Sequence, residues 1–485
     1  MQEIKLPKLE KTIPNKPKKK KILLLSDDLR MHSGIGTMSK EFVLGTLDQF
    51  DWVQIGAAVK HPEDGKVFDI SEDAAKESGV KDAYVKIYPI SGYGNEQLLK
   101  TIMEIERPDA ILHFTDPRFW GWLYQIEHDL RQHIPLMYYN IWDDLPYPHW
   151  NEPFYESCDL LMNISRQTNN IVKNVIRKYP KPDWAVQWVP HGANRNMFYP
   201  ITPLSNEWEE FNTFQTNFKS QNNADFVIFW NNRNIRRKAP GDLILAYKHF
   251  CDQLPKEKAD KCVLLMHTQI TDDNGTDLLA VKKALCPQHK VLFSNKAVDV
   301  KQLNYYYNLS DITMNIASNE GFGISWCESL HTATPIINNV TGGLQDGCRF
   351  EDENGDWIEF DTDFPTNHDA TYKNHGKWVK PVFPSNRSLQ GSPMTPYIFD
   401  DRVNFREVSE AIKYWYDMPK ESREEHGEAG REWVLGNESN MSAAGMSKRM
   451  SECIDECFKN WQPRKRFISY KVEQVKQIEK PGVIS

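Results

Sequence analysis

The residues best suited to chemistry stand in one short glycine-containing stretch. Residues 319–328, with the sequence NEGFGISWCE, lie between an apolar run at 312–316 and a helical pattern. Glycine lets the backbone approach a ligand closely, and a helix start offers free N–H groups and the positive end of the helix dipole. The stretch predicts an anion site that fits a diphosphate, although taken alone it is also typical of a capped helix. If the diphosphate belongs to a nucleotide, Glu328, one turn into the helix, can reach its ribose. Glu320 lies before the loop, near where a sugar attached to the diphosphate would project.

A second stretch places four cations directly after an apolar run. Residues 231–238 read NNRNIRRK and follow the run that ends at Trp230. Cations beyond the carboxyl end of a strand form a phosphate clamp in the crevice where α/β proteins bind ligands. A solvated basic turn is the alternative for this stretch alone. Two anion-directed stretches in one half of the chain favour phosphate binding.

A third stretch places two glycines after the first predicted strand, at 21–26. Gly34 and Gly36 form a GxG pattern, but Ser39 stands where a full GxGxxG motif needs glycine. That departure argues against a dinucleotide-dependent oxidoreductase. The position after the first strand predicts that this loop forms one wall of a cleft.

These stretches need a scaffold of alternating strands and helices. Short apolar runs alternate with helical patterns twice along the chain, which predicts an α/β fold of two Rossmann-like, doubly wound domains facing across a cleft. We expect five parts: a flexible basic tail at 1–19, an N-terminal Rossmann-like domain at 20–200, a polar, aperiodic linker at 201–223, a C-terminal Rossmann-like domain at 224–455 with an insertion at about 364–399, and a C-terminal extension at 456–485.

Composition limits the class of protein. The 485 residues carry a net charge of -8, which argues against a general nucleic-acid binder, and the cluster of Lys16 and residues 18–21 is typical of a solvated tail. No apolar run reaches the ~18 residues of a transmembrane span, and the N-terminus lacks the apolar region of a secretory signal. The eight cysteines have no CxxC spacing. We therefore expect a reduced, cytoplasmic protein without a structural metal.

The order of these motifs resembles glycosyltransferase family four, a group of retaining enzymes with the GT-B fold. The resemblance covers about residues 20–345 and rests on four stretches: the glycine loop at 33–36, VPHGANRNMFYP at 189–200, the Arg233…Lys238 pair and the Glu320-x7-Glu328 element. Two later stretches, at 341–343 and 353–356, resemble further loops of that family.

The resemblance implies a role for each matching residue. It implies transfer of a sugar, without a metal or other cofactor, from a nucleoside-diphosphate sugar to an acceptor hydroxyl on a glycan or small molecule. The donor-binding residues it implies are Arg233 and Lys238 on the diphosphate, Glu320 on the sugar hydroxyls, the N–H groups of Phe322, Gly323 and Ile324 on the distal phosphate, Glu328 on the ribose, and Gly34 and Gly36 in a loop that closes on the donor.

The sequence departs from the family at one point. Members often carry a His-x-His-acid stretch near the reacting sugar, whereas this chain reads His113-Phe-Thr-Asp-Pro. We expect His113 to lie in its strand, and the polar group facing the sugar to be Asp116, Asp143 or Thr115. The sequence at 361–363, DTD, is the alternative site for a metal.

Aromatic residues are concentrated in the half expected to bind the acceptor. The stretches 119–124 and 142–150 carry seven Phe, Trp and Tyr residues that either stack on an acceptor or belong to the core. Three alternatives remain: a DNA-modifying glycosyltransferase acting on a hydroxylated base, which the acidic charge does not favour, a non-catalytic nucleotide-sugar-binding protein, and a nucleotide-sugar epimerase.

Overall fold

The computed structural model describes residues 18–466 of the chain. Most of the predicted basic tail, and residues 467–485 of the predicted extension, therefore lie outside the described residues. Within residues 18–466 no helix is long and apolar enough to cross a bilayer. The eight cysteines are all free thiols.

The N-terminal half is built on an eight-stranded sheet. Its strands are β1 Lys20–Asp27, β2 Phe50–Ala58, β3 Phe68–Asp69, β4 Val85–Ser91, β5 Ala110–Phe114, β6 Leu136–Asn140, β7 Leu160–Asn163 and β8 Val186–Trp188. They lie in the order β3-β4-β2-β1-β5-β6-β7-β8, and every pair is parallel except β3 with β4. The direction of winding reverses between β1 and β5, which makes that gap the switch point of the sheet.

Helices cover both faces of this sheet. They are α1 Gly34–Gly45, α2 Ser71–Ser78, α3 Glu96–Glu106, α4 Gly121–Gln125, α5 Glu127–Leu130, α6 Glu152–Glu156 and α7 Arg166–Val175. Alternate residues of β1 enter different cores, Ile22 and Leu24 on one face, Leu23 and Leu25 on the other. A strand buried on both faces reads as a continuous apolar run, which is why the first strand was visible in the sequence.

The C-terminal half repeats this plan with six parallel strands. Its elements are α8 Trp208–Asn222, β9 Phe226–Asn231, α9 Pro240–Asp252, α10 Lys256–Ala259, β10 Cys262–His267, α11 Leu278–Leu285, β11 Lys290–Ser294, α12 Val300–Leu309, β12 Ile312–Asn315, α13 Ile324–His331, β13 Ile336–Asn339, α14 Leu344–Cys348 and β14 Val379–Val382. The strand order is β11-β10-β9-β12-β13-β14. The switch point therefore lies between β9 and β12.

The predicted linker is not aperiodic. Helix α8 occupies most of residues 201–223, and Phe211 from it packs against Ile201 and Tyr305 in a small apolar cluster. The helix could not be predicted from the sequence because only a narrow face of it packs on the protein. Phe211 is its one buried residue. Tertiary packing on α12, rather than a wide apolar stripe, stabilises it.

The predicted insertion contains a hairpin. Strands β15 Asn386–Ser392 and β16 Thr395–Arg402 pair antiparallel as a separate two-stranded sheet. The main chain at Asp401 ties the base of the hairpin to the C-terminal half, since its N–H donates to Ser318 O at 3.0 Å. Asn339 Nδ2 donates to Asp401 O at 2.8 Å.

Three helices complete the chain, and the last one returns to the N-terminal half. They are α15 Phe405–Asp417, α16 Lys420–Leu435 and α17 Ala443–Asn460. Helix α17 packs so closely on α1 that a Cβ built on Gly45 would lie 2.2 Å from Ser447 Oγ. Ala443 N–H donates to Ala193 O at 2.9 Å. Residue 455, the predicted end of the C-terminal domain, thus lies inside a helix that joins the two halves.

Candidate functional site

Two of the predicted stretches meet at the switch point of the C-terminal sheet. The loop after β9 carries the cations of residues 231–238, and the loop after β12 carries residues 316–323. Ligands of doubly wound proteins bind at the carboxyl ends of the strands that flank such a switch point. The backbone joins the two loops, because Ser318 N–H donates to Arg237 O at 2.7 Å.

The glycine loop presents the start of α13. Gly323 has a φ of 79°, a left-handed conformation that favours glycine, and Ile324 is the first residue of the helix. No side chain caps this start. Because the first N–H groups of a helix have no acceptor within the helix, they face the switch-point crevice with the positive end of the dipole. Phe322, Gly323 and Ile324 are thus brought together as predicted, while their contact with a phosphate stays a prediction.

A glycine turn fixes the backbone just before this helix start. Gly343 N–H donates to Glu320 O at 2.8 Å. A Cβ built on Gly342 would lie 2.2 Å from the same oxygen, so this close approach requires glycine. The stretch at 341–343 therefore positions the main chain that carries Glu320.

The carboxylate of Glu320 pairs with two cations. Lys238 donates to Glu320 Oε2, and Arg237 Nη1 lies 3.3 Å from the same oxygen and 2.8 Å from Asn319 O. Glu320 and Lys238 are each 7% exposed. Burial lowers the pKa of the Lys238 ammonium, so an anionic partner is needed to keep it charged. The predicted residues Lys238 and Glu320 are brought together, and Arg237 joins them.

Arg233 lies elsewhere in this structure. Its guanidinium pairs with Asp272 at 2.7 Å, and its side chain is 62% exposed. Sequence reasoning selected Arg233 over Arg237 because of the family spacing. The signal for Arg237 lay in the same run of cations, but nothing in the sequence shows which arginine of the run points to the glycine loop.

Glu328 lies at the inner end of the crevice. Tyr307 from α12 donates its hydroxyl to Glu328 Oε2 at 2.6 Å, and Asn231 Nδ2 donates to Tyr307 Oη at 3.1 Å. Burial raises the pKa of Glu328 to about 7 in spite of these hydrogen bonds. Sequence reasoning missed Tyr307 because α12 carries three consecutive tyrosines and their faces cannot be told apart in the sequence.

The N-terminal half packs directly against the glycine loop. A Cβ built on Gly321 would lie 2.9 Å from Ile164 Cδ1 and 3.1 Å from Ile141 O. The Phe322 ring lies edge-on to His191, with their centroids 5.4 Å apart. Since residues 141 and 164 directly follow β6 and β7, the carboxyl edges of both sheets face the same cleft.

The three polar groups predicted to face the sugar differ in their partners. Asp116 accepts hydrogen bonds from Arg118 Nε at 2.9 and 3.1 Å. The Thr115 hydroxyl lies 2.9 Å from His113 Nε2, within the N-terminal core. His113 lies in β5 as predicted, and burial lowers its pKa to about 3, so it is neutral.

Asp143 lies in the loop after β6, opposite the cation cluster. Burial raises the pKa of its carboxyl, and the charges of Arg237 and Lys238 oppose that rise. Burial and the neighbouring Asp143 raise the pKa of Asp144 well above its usual value. Asp143 and Asp144 therefore form a coupled carboxyl pair close to both cations.

The two glycines of the first loop have different environments. A Cβ on Gly36 would lie 2.7 Å from Met31 O and 2.8 Å from Asp28 O, whereas a Cβ on Gly34 would meet no atom within 4 Å. Ser33 caps α1 by accepting from Gly36 N–H at 3.0 Å. Gly36 is thus required by packing, and the predicted contact of both glycines with a donor stays a prediction.

The alternative metal stretch forms an ordinary turn. Asp361 Oδ1 accepts from the N–H groups of Asp363 and Phe364, each at 2.8 Å. Among residues 18–466, no three His, Cys, Asp or Glu side chains are grouped so that they could hold a metal ion.

Solved structures of similar fold include several glycosyltransferases. A glycosyltransferase from Rickettsia africae is 17% identical, with a TM-score of 0.60 over 91% of this chain and 99% of that chain. HepE from Anabaena, in complex with UDP and glucose, is 11% identical, with a TM-score of 0.59 over 90% of this chain and 100% of that one. Sucrose-phosphate synthase from Thermosynechococcus elongatus is 15% identical, with a TM-score of 0.60 over 91% and 100% of the two chains.

These likenesses show the fold. The chain has the GT-B arrangement of two Rossmann-like domains facing across a cleft, which confirms the predicted fold class. Neither family models nor curated proteins give a match to the sequence.

Proposed function

We propose that this chain is a retaining glycosyltransferase that moves a sugar from a nucleoside-diphosphate sugar to an acceptor hydroxyl. One observation carries the proposal: Lys238, Arg237, Glu320 and the uncapped start of α13 converge at the switch point of the C-terminal sheet. Such an arrangement of two cations and free N–H groups binds a diphosphate.

The chemistry follows from the charge that the leaving group develops. As the bond between the sugar and the diphosphate breaks, negative charge accumulates on the phosphate oxygens. Lys238, Arg237 and the helix start stabilise that charge without reorganising. Glu320 pairs with both of these cations. We propose that the diphosphate takes over these cations, which frees the Glu320 carboxylate to accept hydrogen bonds from the sugar.

The acceptor hydroxyl attacks from the same face that the diphosphate leaves. The departing phosphate then accepts the acceptor proton, so the chain needs no dedicated base. Among the polar groups on the N-terminal side, we assign the sugar-facing role to the Asp143–Asp144 pair. The pair lies near Arg237 and Lys238, where an ionised carboxylate can stabilise the positive charge that develops on the sugar.

UDP-glucose is the first donor to test, because HepE was solved with UDP and glucose, and a further structure of similar fold, trehalose-6-phosphate from E. coli, with UDP-2-fluoro glucose. Calorimetry with UDP, GDP and ADP should show tight binding of one of them. Mass spectrometry should then show transfer of the sugar to one acceptor in a screen. Binding without hydrolysis or transfer would favour the non-catalytic alternative, and no binding of any nucleoside diphosphate would exclude the proposal.

We further propose a cytosolic location, which the eight free thiols support because disulfides are rare in that compartment.

A further inference from the structure

The N-terminal sheet has a switch point of its own, between β1 and β5. The loops that flank it are residues 28–33, after β1, and residues 115–119, after β5. Its carboxyl edge faces the cleft, as the contacts of Gly321 show. Because the proposed donor occupies the other switch point, this second crevice is free to hold a different molecule.

An aromatic pair lies at this crevice. The rings of Tyr93 and Phe119 stack with their centroids 4.7 Å apart and their planes at 12°. Phe119 is 54% exposed, whereas Trp120, its neighbour in sequence, is fully buried. Of the aromatic stretch 119–124, Phe119 alone is classed as exposed in the structure. An exposed phenyl ring held against a second ring offers a flat apolar surface of fixed orientation.

The loop that carries Tyr93 is held rigidly. Gly92 and Gly94, on either side of Tyr93, have φ values of 73° and 72°, which glycine alone adopts readily. Trp122 Nε1 donates to Tyr93 O at 3.0 Å. Gly92 N–H donates to Ala58 O at 2.7 Å at the end of β2. The sequence thus fixes this ring at the edge of the sheet by three independent constraints.

Two carboxylates flank the aromatic pair. Asp27, the last residue of β1, accepts a hydrogen bond from the Ser33 hydroxyl at 2.9 Å. Asp116 lies on the other side and is bound by Arg118. Burial, together with the charges of Asp27 and Asp116, raises the pKa of the Tyr93 hydroxyl. The crevice therefore offers Asp27 as a hydrogen-bond acceptor, while Arg118 balances the charge of Asp116.

The hairpin of the other half reaches this crevice. Arg118 Nη1 donates to Met394 O at 3.0 Å, at the tip of the hairpin. Phe399 N–H donates to Leu145 O at 2.6 Å. The Met394 side chain stays 64% exposed. Arg118, the residue before Phe119, thus holds the tip, which can form one wall of the crevice.

We propose that Tyr93 and Phe119 form the floor of an acceptor subsite that takes a neutral sugar ring, with Asp27 accepting a hydroxyl and the hairpin tip as the outer wall. This inference rests on the proposed function. A sugar presents apolar C–H groups on its face and hydroxyls at its edge, which matches a ring flanked by carboxylates. A nucleobase also stacks on aromatic rings, so an oligonucleotide serves as the competing ligand in the test.

The test compares Phe119→Ala with two controls. Phe119→Tyr keeps the flat ring, and Tyr179→Ala removes another exposed aromatic, 61% exposed, outside the crevice. The UDP-loaded protein is titrated with methyl glucoside, maltose, cellobiose and a hydroxymethylated single-stranded oligonucleotide, and binding is followed by saturation-transfer NMR. Transfer from UDP-glucose gives the KM of whichever acceptor reacts.

We expect a pyranoside to bind and Phe119→Ala to weaken its binding about 10-fold or more, since stacking contributes roughly 1–3 kcal/mol. Phe119→Tyr and Tyr179→Ala should retain parental affinity, and all variants should bind UDP equally. Parental sugar affinity in Phe119→Ala, binding of the oligonucleotide alone, or no binding of any pyranoside would each overturn the subsite. Loss of UDP binding in the parent protein would instead contradict the proposed function.

Discussion

The two switch-point crevices of this protein are built from different materials. The C-terminal crevice consists of backbone N–H groups, a glycine turn and an ion cluster, and all of it comes from one half of the chain. The N-terminal crevice consists of side chains, Tyr93 and Phe119, and borrows a wall from the hairpin of the other half. The first suits a ligand group common to many donors, the diphosphate. The second suits the acceptor, which differs between enzymes. Changes in its loops can alter which acceptor binds without disturbing the sheet.

The largest effect is expected when the cations of the C-terminal crevice are replaced by alanine. Lys238→Ala should weaken binding of UDP by roughly 2–5 kcal/mol, because a desolvated charge contact to the diphosphate is lost. Arg237→Ala and Arg233→Ala form a matched pair that decides which arginine binds the ligand. The geometry predicts the larger loss for Arg237, since Arg233 is held by Asp272. Calorimetry with UDP measures all three. If Lys238→Ala binds UDP with unchanged affinity, the diphosphate does not bind at this site.

The second prediction separates the two glutamates of the same crevice. In the proposed site Glu320 binds the sugar that reacts, so Glu320→Ala should lower kcat by about 100-fold, the usual cost of losing one contact that strengthens in the transition state. We propose that Glu328 binds the ribose, which does not react, so Glu328→Ala should raise the donor KM and leave kcat near the parental value. Steady-state kinetics with UDP-glucose, with circular dichroism as the folding control, decides. If Glu320→Ala keeps the parental kcat, the assignment of Glu320 to the sugar and of Glu328 to the ribose is wrong.

The sequence located the glycine loop and the cation run after two strands because each is a contiguous stretch, but it selected Arg233 where Arg237 contacts Glu320. Glycines, cations and carboxylates within a short span of sequence indicate a loop and a helix start, and this indication does not depend on tertiary contacts. Tyr307 escaped prediction because it reaches Glu328 across 21 residues. Phe119 could not be distinguished from Trp120, since only packing decides which of two adjacent rings is exposed. The hairpin was recognised as a break in the rhythm, but its contact with Leu145 depends on the relative placement of the two halves.

A smaller effect concerns pH. The folded chain raises the pKa of Glu328 from 4.5 to about 7, so below pH 4.5 the group is protonated both folded and unfolded. Between these values the folded state holds an extra proton, and the stability that this confers is lost as the pH rises through about 7. A ribose diol donates to the ionised carboxylate, so the affinity for UDP-glucose should rise with pH across this range.

Glu328→Gln is the matched variant for this pH effect, because it keeps the shape of the side chain and cannot ionise. The variant should bind UDP-glucose with an affinity that does not change between pH 5.5 and pH 8.5, roughly 1.5 pKa units on either side of the transition. UDP-glucose is used rather than UDP because its diphosphate has no terminal group that titrates near neutrality. An equal pH dependence in parent and variant would assign the titration to another group, such as Asp346, whose pKa burial also raises to about 7.

The smallest expected effect is that of metal chelation, and it tests whether the ion cluster is sufficient by itself. Glu320 holds Lys238 and Arg237 at the crevice, and the start of α13 adds a partial positive charge beside them. Together they can balance the charge of a departing diphosphate. In many enzymes a divalent metal ion has this role. Transfer from UDP-glucose should therefore continue at the parental rate in EDTA. Loss of activity in EDTA, restored by manganese or magnesium, would move the metal to Asp361 and Asp363. In that case Asp361→Asn and Asp363→Asn should abolish the rescue, whereas Asp352→Asn, in the acidic turn at 352–356, should leave it intact.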